Sequence, residues 1–242
     1  MHHTTIEQIQ VAATPRVTGR LNVYFAVAAL VLVVAAPHRL AYAGALACFG
    51  ALGVDAGGRG YLGVLRLPVY FLAPTLALIA VFTPGPAAVS VGPLAVSWPG
   101  IQRTLTTGLR SLSSVTILSY LIVTTPVPEV VGALQSLRCP RFVVDVSLLT
   151  YRAIQTLFDE LARLELAASS RLGFRTRRTT LATSKALAFS LFVRSLSRAD
   201  ALDDAMQARA YDGTLPTPTT PNTGYGYVGT VLVVLAVTGW GV

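Results

Sequence analysis

Long stretches without a charged residue constrain this chain more than any other feature of its sequence. A helix needs about 20 consecutive apolar residues to cross the hydrocarbon core of a bilayer. Charged residues make up only 12% of the 242 residues, whereas soluble domains carry roughly 25%. We therefore predict an all-α, polytopic membrane protein. Five runs contain no Asp, Glu, Lys or Arg, namely residues 21–38, 40–54, 67–102, 111–128 and 213–242.

Five transmembrane helices fit these runs. Pro74, inside the third, would free a backbone carbonyl, so we expect a kink there. The Pro- and Gly-rich segment 84–100 is typical of an outer loop. A cleaved signal peptide at the first run is disfavoured, because that run is long and further spans follow it. We place the spans at about Leu21–Ala36, Leu40–Val54, Leu67–Thr83, Ile101–Thr124 and from 227 to 242.

The basic residues of the short loops indicate orientation. Lys and Arg collect on the cytoplasmic side of membrane spans, and the loops assigned inside are the richer in arginine. The N-terminus is then cytoplasmic and, after five spans, the C-terminus lies outside a prokaryotic inner membrane. Arg110 lies within the fourth span, where we favour a structural or snorkelling role over a functional one. The loops assigned inside hold Arg16, Arg20, Arg59 and Arg66, and those assigned outside hold Arg39 and Arg103.

This topology divides the chain into four segments. The segment between spans four and five is polar: residues 126–224 carry twelve of the nineteen basic residues and nine of the eleven acids. We interpret it as a cytoplasmic or interfacial coupling domain. The segments are a cytoplasmic N-terminal part (1–20), four transmembrane helices (21–124), the coupling domain (125–224) and the last transmembrane helix (225–242).

Periodic apolar residues predict long amphipathic helices in the coupling domain. A short helix is expected within 128–140 and one of about 30 residues within 141–173, with Asp159, Glu160 and Arg163 on its polar face. A third is expected over 179–196, lying on the membrane or crossing it as a sixth span. Ser197 could then cap a short helix over 199–210. The apolar face of the long helix carries Val146, Leu149, Ala153, Leu157, Leu161, Leu164 and Ala168.

Two helix ends in this domain share a pattern. "LELAASSR" (164–171) and "LDDAMQAR" (202–209) match at a constant offset of 38 in a leucine, an acid, an alanine and an arginine. We expect one guanidinium near the C-terminus of each helix, where the helix dipole favours a cation. Its five-donor fork suits a carboxylate or carbonyls on another protein; an ordinary solvated helix cap is the alternative. The matched residues include Ala167 with Ala205 and Arg171 with Arg209, and Gly173 and Gly213 follow.

The paired motifs, with a long helix before each and apolar spans on both sides, resemble the transmembrane T component of energy-coupling factor (ECF) transporters. The most similar group is the CbiQ-like proteins of cobalt and nickel uptake systems. In that family two Ala-Arg-Gly motifs end two cytoplasmic coupling helices and dock into grooves on a pair of ABC-type ATPase subunits. "PEVVGALQSLRCPRFV" is similar to the family's segment before the first coupling helix. The matching motif positions are Ser170-Arg171-Leu172 and Ala208-Arg209-Ala210, so the first motif lacks its alanine and both lack the glycine.

The resemblance implies a non-catalytic coupling subunit. ATP-driven closure of the ATPases would move both arginines, and the coupling helices would pass this motion to a substrate-binding membrane S component of CbiM/NikM type. A small accessory membrane subunit is a further expected partner. No cofactor is expected in this chain, since ATP and magnesium would be bound by the ATPases. Contact with the S component is expected from Leu149, Leu157, Leu161, Phe189 and Phe192, although packing between the coupling helices is the alternative for each.

Other functions fit the sequence less well. A membrane-embedded lipid-group transferase could hold phosphates with Arg171 and Arg209, and a T component could serve a vitamin such as biotin. The chain has no G-x-x-x-x-G-K-[ST] loop and no cluster with metal-site spacing, and His2-His3 is the sole candidate metal ligand pair. Anionic lipid explains the pI of about 10 better than nucleic acid does. The transferase would need Glu165, Asp203 or Asp204 as base or metal ligand, and Cys48 and Cys139 are expected as free thiols.

Overall fold

The computed structural model describes residues 9–10, 13–84, 87–91, 94–211 and 220–240. Two compact units divide the chain: Met1–Ala133 with Thr219–Val242, and Leu134–Pro218. His2, His3 and Gly213 lie outside the described residues. The elements are α1 (Arg20–Ala35), α2 (Arg39–Phe82), β1 (Ala87–Val91), β2 (Leu94–Ser97), α3 (Trp98–Thr124), α4 (Val127–Ser136), α5 (Arg141–Ser170), α6 (Arg177–Ala208) and α7 (Tyr225–Trp240).

The helices of the first unit follow the predicted spans closely. Helices α1 and α7 lie at the first and fifth spans, and α3 lies at the fourth. Within the described residues, α2 alone is long and apolar enough to cross a bilayer by itself. Helices α3 and α4, bent by 104°, meet that criterion as a pair, whereas α1 and α7 are apolar but short. Helix α6, which includes the possible sixth span, does not meet the criterion.

The prediction of a loop between the second and third spans is wrong. Residues 55–66 belong to α2, which breaks at Gly58 with φ 50° and ψ −128°. Eight residues of straight helix would separate Gly53 from Tyr61 by about 12 Å. Instead, a Cβ built on Gly53 would lie 2.3 Å from Cζ of Tyr61. The chain therefore folds back on itself at Gly58, and one glycine takes the place of the expected loop.

Neither proline of α2 breaks the helix. Both Pro68 and Pro74 lie inside it, and the structure describes every residue of this helix. Gly58 alone among them departs from helical dihedral angles. The departure from helical dihedral angles thus lies at Gly58, 16 residues before Pro74, at a residue whose missing Cβ permits a conformation closed to other residues. The kink expected at Pro74 stays a prediction.

Three aromatic rings fix the packing of the first unit. Phe25 of α1 stacks on Phe49 of α2 with ring centroids 4.9 Å apart. Tyr120 of α3 meets both rings edge-on, at 6.4 and 5.6 Å. All three side chains are fully buried. Offset and edge-to-face pairs of this kind contribute about 0.5–1.5 kcal/mol each beyond area burial, so this cluster holds α1, α2 and α3 together.

Arg110 has a structural partner. Its Nη2 donates a hydrogen bond to the carbonyl of Val34, in the last turn of α1. The last carbonyls of a helix lack intrahelical donors, so a donor from another helix satisfies this one. The hydroxyl of Tyr42 likewise donates to the carbonyl of Ala36, at 2.7 Å. Arg110 therefore caps α1, in agreement with the structural role favoured from the sequence.

Part of the predicted outer loop forms a pair of antiparallel strands. Strands β1 and β2 pair antiparallel, with Val91 opposite Leu94. Helix α3 then begins at Trp98, three residues before the predicted start. Ser97 explains this: its Oγ accepts a hydrogen bond from Gly100 N (3.1 Å) and donates one to Thr83 O (2.7 Å). It thereby caps α3 and joins that helix to the end of α2.

Arg16 ties three parts of the first unit together. Its Nε and Nη2 donate to the two carboxylate oxygens of Asp55, at 2.7 and 3.2 Å. Its Nη1 donates to the hydroxyl of Tyr227 at 3.4 Å, and the guanidinium lies 5.5 Å from that ring's centroid. The segment that precedes α1 is thus joined to α2, at Asp55, three positions before the break at Gly58, and to α7.

The long helices of the second unit match one prediction and correct another. Helix α5 has 30 residues, the length predicted from its periodicity. Helix α6 runs unbroken for 32 residues, so the helix predicted to begin after Ser197 is wrong. The Oγ of Ser197 donates to Val193 O at 3.1 Å, four residues back. A serine that bonds back in this way lies within a helix and does not start a new one.

Candidate functional site

Helices α5 and α6 form a hairpin joined by a short turn. Near the turn, Oγ1 of Thr183 donates to Gly173 O at 2.9 Å. Further along, Glu160 is only 9% exposed. Its carboxylate forms an ion pair with Arg194 and a second, at 3.8 Å, with Arg198. Glu160, predicted on the polar face of α5, is therefore held in the α5–α6 interface by two cations of α6. Asp159 and Arg163, predicted on the same face, are exposed.

Arg171 is the residue at which α5 ends. Its N–H donates to Ala168 O at 3.2 Å, with φ −94° and ψ 15°. Leu172 follows at φ 60° and donates to Ser169 O at 3.0 Å. Gly173 N donates to Ala168 O at 2.9 Å. These bonds form a Schellman motif, which satisfies the last carbonyls of a helix.

Arg209 ends α6 in the same way. Its N–H donates to Met206 O at 3.2 Å, with φ −97° and ψ 13°. Ala210, at φ 50°, donates to Gln207 O at 3.0 Å, and Tyr211 N donates to Met206 O at 3.1 Å. The offset of 38 found in the sequence therefore corresponds to two arginines in equivalent backbone positions.

The side chains of both arginines are exposed. Within the described part of the chain, neither Arg171 nor Arg209 forms an ion pair or a side-chain hydrogen bond. The Oγ of Ser170 donates to Leu166 O at 2.9 Å, so its proton is used inside α5. Around the arginines, Ala167 and Ala208 are exposed, and Gly173 and Ala205 are half-buried.

The residues predicted to contact a substrate-binding subunit lie on two surfaces. Leu149 and Leu157 line a cleft of about 500 Å³ between α5 and α6. Leu161 is half-buried. Phe189 and Phe192 lie on α6 and are 70% and 63% exposed. The cleft is completed by Thr150, Arg152, Ala153, Thr156, Ser195, Arg198, Ala199 and Leu202.

Comparison with known proteins identifies the family. A family model described as CbiQ, cobalt transport protein, matches residues 8–220. The chain belongs to the CbiQ family. It is 29% identical over 169 residues to the cobalt transport protein CbiQ of Rhodobacter capsulatus, covering 70% of this chain and 67% of that one. It is 31% identical over 158 residues to the energy-coupling factor transporter transmembrane protein EcfT of Leuconostoc gelidum, covering 60% and 59%.

A third relative joins two proteins in one chain. The putative fused cobalt transport protein CbiMQ of Methanocorpusculum labreanum is 25% identical over 223 residues, covering 88% of this chain and 37% of the fused one. This chain spans 37–67% of the lengths of the curated relatives that it matches. Together the relatives place it as a CbiQ-like T component of ECF transporters.

The two motif positions without glycine adopt a left-handed backbone conformation. Leu172 and Ala210 stand where the family pattern has glycine, and both adopt positive φ. A left-handed conformation costs a non-glycine residue about 1–2 kcal/mol. Helix α4 ends with the same pattern: Arg138 has φ 62°, and Cys139 N donates to Leu134 O at 3.3 Å. Sequence reasoning missed this third motif because no glycine marks it.

Among the described residues, the acids required by a transferase form no ion pair with Arg171 or Arg209. Glu165, Asp203 and Asp204 are exposed, and Asp203 accepts a hydrogen bond from Gln207 of its own helix at 2.8 Å. Among the residues that the structure describes, no group of three or more His, Cys, Asp or Glu side chains could hold a metal ion. Nothing in the described geometry favours the transferase over the coupling subunit.

Proposed function

We propose that this CbiQ-family protein is the transmembrane coupling subunit of an ECF-type ABC importer for cobalt or nickel ions. One observation carries the proposal: two exposed arginines, without partners in the described chain, end two paired helices in the same backbone conformation. The helix dipole places negative potential at the C-terminal end of each of the two helices, which favours a cation there. Each guanidinium is thus stably presented to a second protein.

The proposed partners are two ABC-type ATPase subunits and an S component of CbiM/NikM type. The fused CbiMQ relative supports the S component, since it joins a CbiM and a CbiQ part in one chain. The EcfT relative supports an assembly powered by energy-coupling ATPases. A small accessory membrane subunit is a further proposed partner. Cobalt or nickel is preferred to a vitamin because the matching family is described as cobalt transport protein.

The proposed mechanism is mechanical. ATP, bound with magnesium by the partner ATPases, would draw the two ATPase subunits together, and Arg171 and Arg209 would move with them. The ion pairs of Glu160 hold α5 to α6, so a displacement at either helix end is shared by both helices. The S component would rest on the exposed aromatic face of α6 at Phe189 and Phe192 and on the cleft at Leu149 and Leu157.

We also propose the membrane arrangement. The protein would lie in the prokaryotic cell membrane with its N-terminus in the cytoplasm and its C-terminus outside. The two arms of α2 on either side of Gly58 would be the second and third spans, because the chain folds back at that residue. Asp55 and Arg59 would then lie at the cytoplasmic turn between them.

Co-purification tests the proposed ATPase contact. The tagged chain would be co-expressed with the ATPase pair from its own genome and isolated in detergent. We expect the native chain to retain both ATPases and the Arg171→Glu/Arg209→Glu variant to lose them, since two cation contacts become repulsive. Arg163→Glu/Lys185→Glu is the matched control, with the same charge change at exposed sites on the same two helices. Equal retention by both double variants would contradict the docking role of Arg171 and Arg209.

A further inference from the structure

The turn between α5 and α6 concentrates positive charge. Arg171, Arg175, Arg177 and Arg178, here called the cationic turn, fall within eight residues, and no acid occurs between residues 166 and 199. All four side chains are exposed. None forms an ion pair within the described part of the chain. Their charge is thus not neutralised by any acid among the described residues.

Two of these arginines oppose the local helix dipole. Arg177 and Arg178 are the first two residues of α6, where the dipole is positive and acids are favoured. The start of the helix is already secured without them. Thr176 and Thr179 form a capping box: Oγ1 of Thr176 accepts from Thr179 N at 3.2 Å, and Oγ1 of Thr179 accepts from Thr176 N at 3.0 Å. The arginines are therefore not needed to cap this helix, and its dipole disfavours their charge at this end.

The far end of α6 has the opposite charge. Residues 165–178 contain four arginines and one acid, a net charge of +3, whereas 200–211 contain one arginine and three acids, a net charge of −2. The second set comprises Asp200, Asp203, Asp204 and Arg209. The two helix ends thus share a backbone geometry but differ by five charges.

We propose that the cationic turn binds an acidic surface on one ATPase subunit, beyond the contact made by Arg171 itself. This inference rests on the proposed docking function. A partner that reaches Arg171 also reaches the arginines four, six and seven residues further on, and carboxylates match the guanidinium fork. The C-terminal end of α6, at Arg209, has no such cluster of arginines. The two helix ends therefore bind the ATPases unequally, and only binding at the α5 end depends strongly on salt concentration.

The test leaves both docking arginines in place. Arg175→Gln/Arg177→Gln/Arg178→Gln would be made in the full chain, and ATPase binding measured in non-ionic detergent across a range of salt concentrations. We expect the triple variant to bind about tenfold more weakly at low salt, since each exposed pair contributes modestly. Its salt dependence should also be shallower than that of the native chain. Loss of charges that oppose the dipole should leave α6 folded.

A control triple separates specific from general charge effects. Arg141→Gln/Arg163→Gln/Lys185→Gln removes three exposed cations from the same helices, and we expect native binding from it. Equal weakening by both triples, or native binding by the first, would overturn the inference while leaving the proposed function intact. If the triple variant binds the ATPases more weakly only in nanodiscs containing anionic lipid, the cationic turn binds phospholipid headgroups. That result would also overturn the inference. A native chain that binds no ATPase would refute both proposals.

Discussion

Gly58→Ala is expected to destabilise the first unit by about 1–3 kcal/mol, because the conformation at this residue is essentially closed to side chains. The values of φ 50° and ψ −128° resemble the first central position of a type II′ turn, which glycine dominates. Apart from its own neighbours along the helix, no atom of the described residues lies within 4 Å of a Cβ built there. The cost is therefore one of backbone strain and not of crowding. Thermal unfolding in detergent would measure it.

Two other glycines of α2 serve as controls for this prediction. Gly63 is helical, and nothing lies within 4 Å of its added Cβ, so Gly63→Ala is expected to stabilise the protein by about 0.5–1 kcal/mol. At Gly53 an added Cβ would meet the ring of Tyr61, and Gly53→Ala should destabilise through that clash. If Gly58→Ala stabilises the protein as Gly63→Ala is expected to, the chain does not reverse its direction at Gly58.

Replacing both arginines that pair with Glu160 is the second large perturbation. Arg194→Leu/Arg198→Leu leaves a carboxylate whose side chain is only 11% exposed without a partner. Removing one side of a fully buried pair costs about 3–5 kcal/mol, and we expect about 2–3 here because the arginines themselves are half-exposed. Glu160→Gln should cost less, since Arg194 and Arg198 can then turn to water. Hydrogen exchange of the α5 and α6 amides measures these costs locally.

The critical part of this prediction is that removing the two arginines costs more stability than removing the charge of Glu160. Adding Glu160→Leu to the double variant removes the stranded carboxylate and should recover most of the lost protection. Arg163→Leu, an exposed arginine of α5 without an ion pair in the described residues, is the control and should change little. Equal losses in Glu160→Gln and in the double arginine variant would show that Glu160 is not held in the interface.

Periodicity predicted the regular elements of this protein well. The apolar spacing from Val146 to Ala168 gave the length of α5, because a long amphipathic face is a local property of the sequence. The charge-free runs, for their part, predicted the helices found at the first, fourth and fifth spans. The repeated arginine pattern located Arg171 and Arg209 at helix ends, since helix termination depends on a few neighbouring residues.

The failures involve contacts between distant residues or unusual backbone conformations. Glu160 looked solvent-facing on its own helix, and only Arg194 and Arg198, more than 30 residues later, explain its burial. Charges at Asp55 and Arg59 suggested a loop, although Arg16 neutralises the first and Gly58 alone reverses the chain. Leu172 and Ala210 hold a conformation usually marked by glycine, and no propensity rule would assign it to them.

Metal uptake tests the central claim most directly. The chain would be reconstituted in proteoliposomes with its ATPase pair and S component, and ATP-dependent accumulation of cobalt and nickel ions measured. We predict uptake by the native chain and a loss of at least about tenfold with Arg171→Glu/Arg209→Glu, a change of about 1.4 kcal/mol or more, while the S component stays bound. Uptake at the native rate by that double variant would contradict coupling through the two arginines.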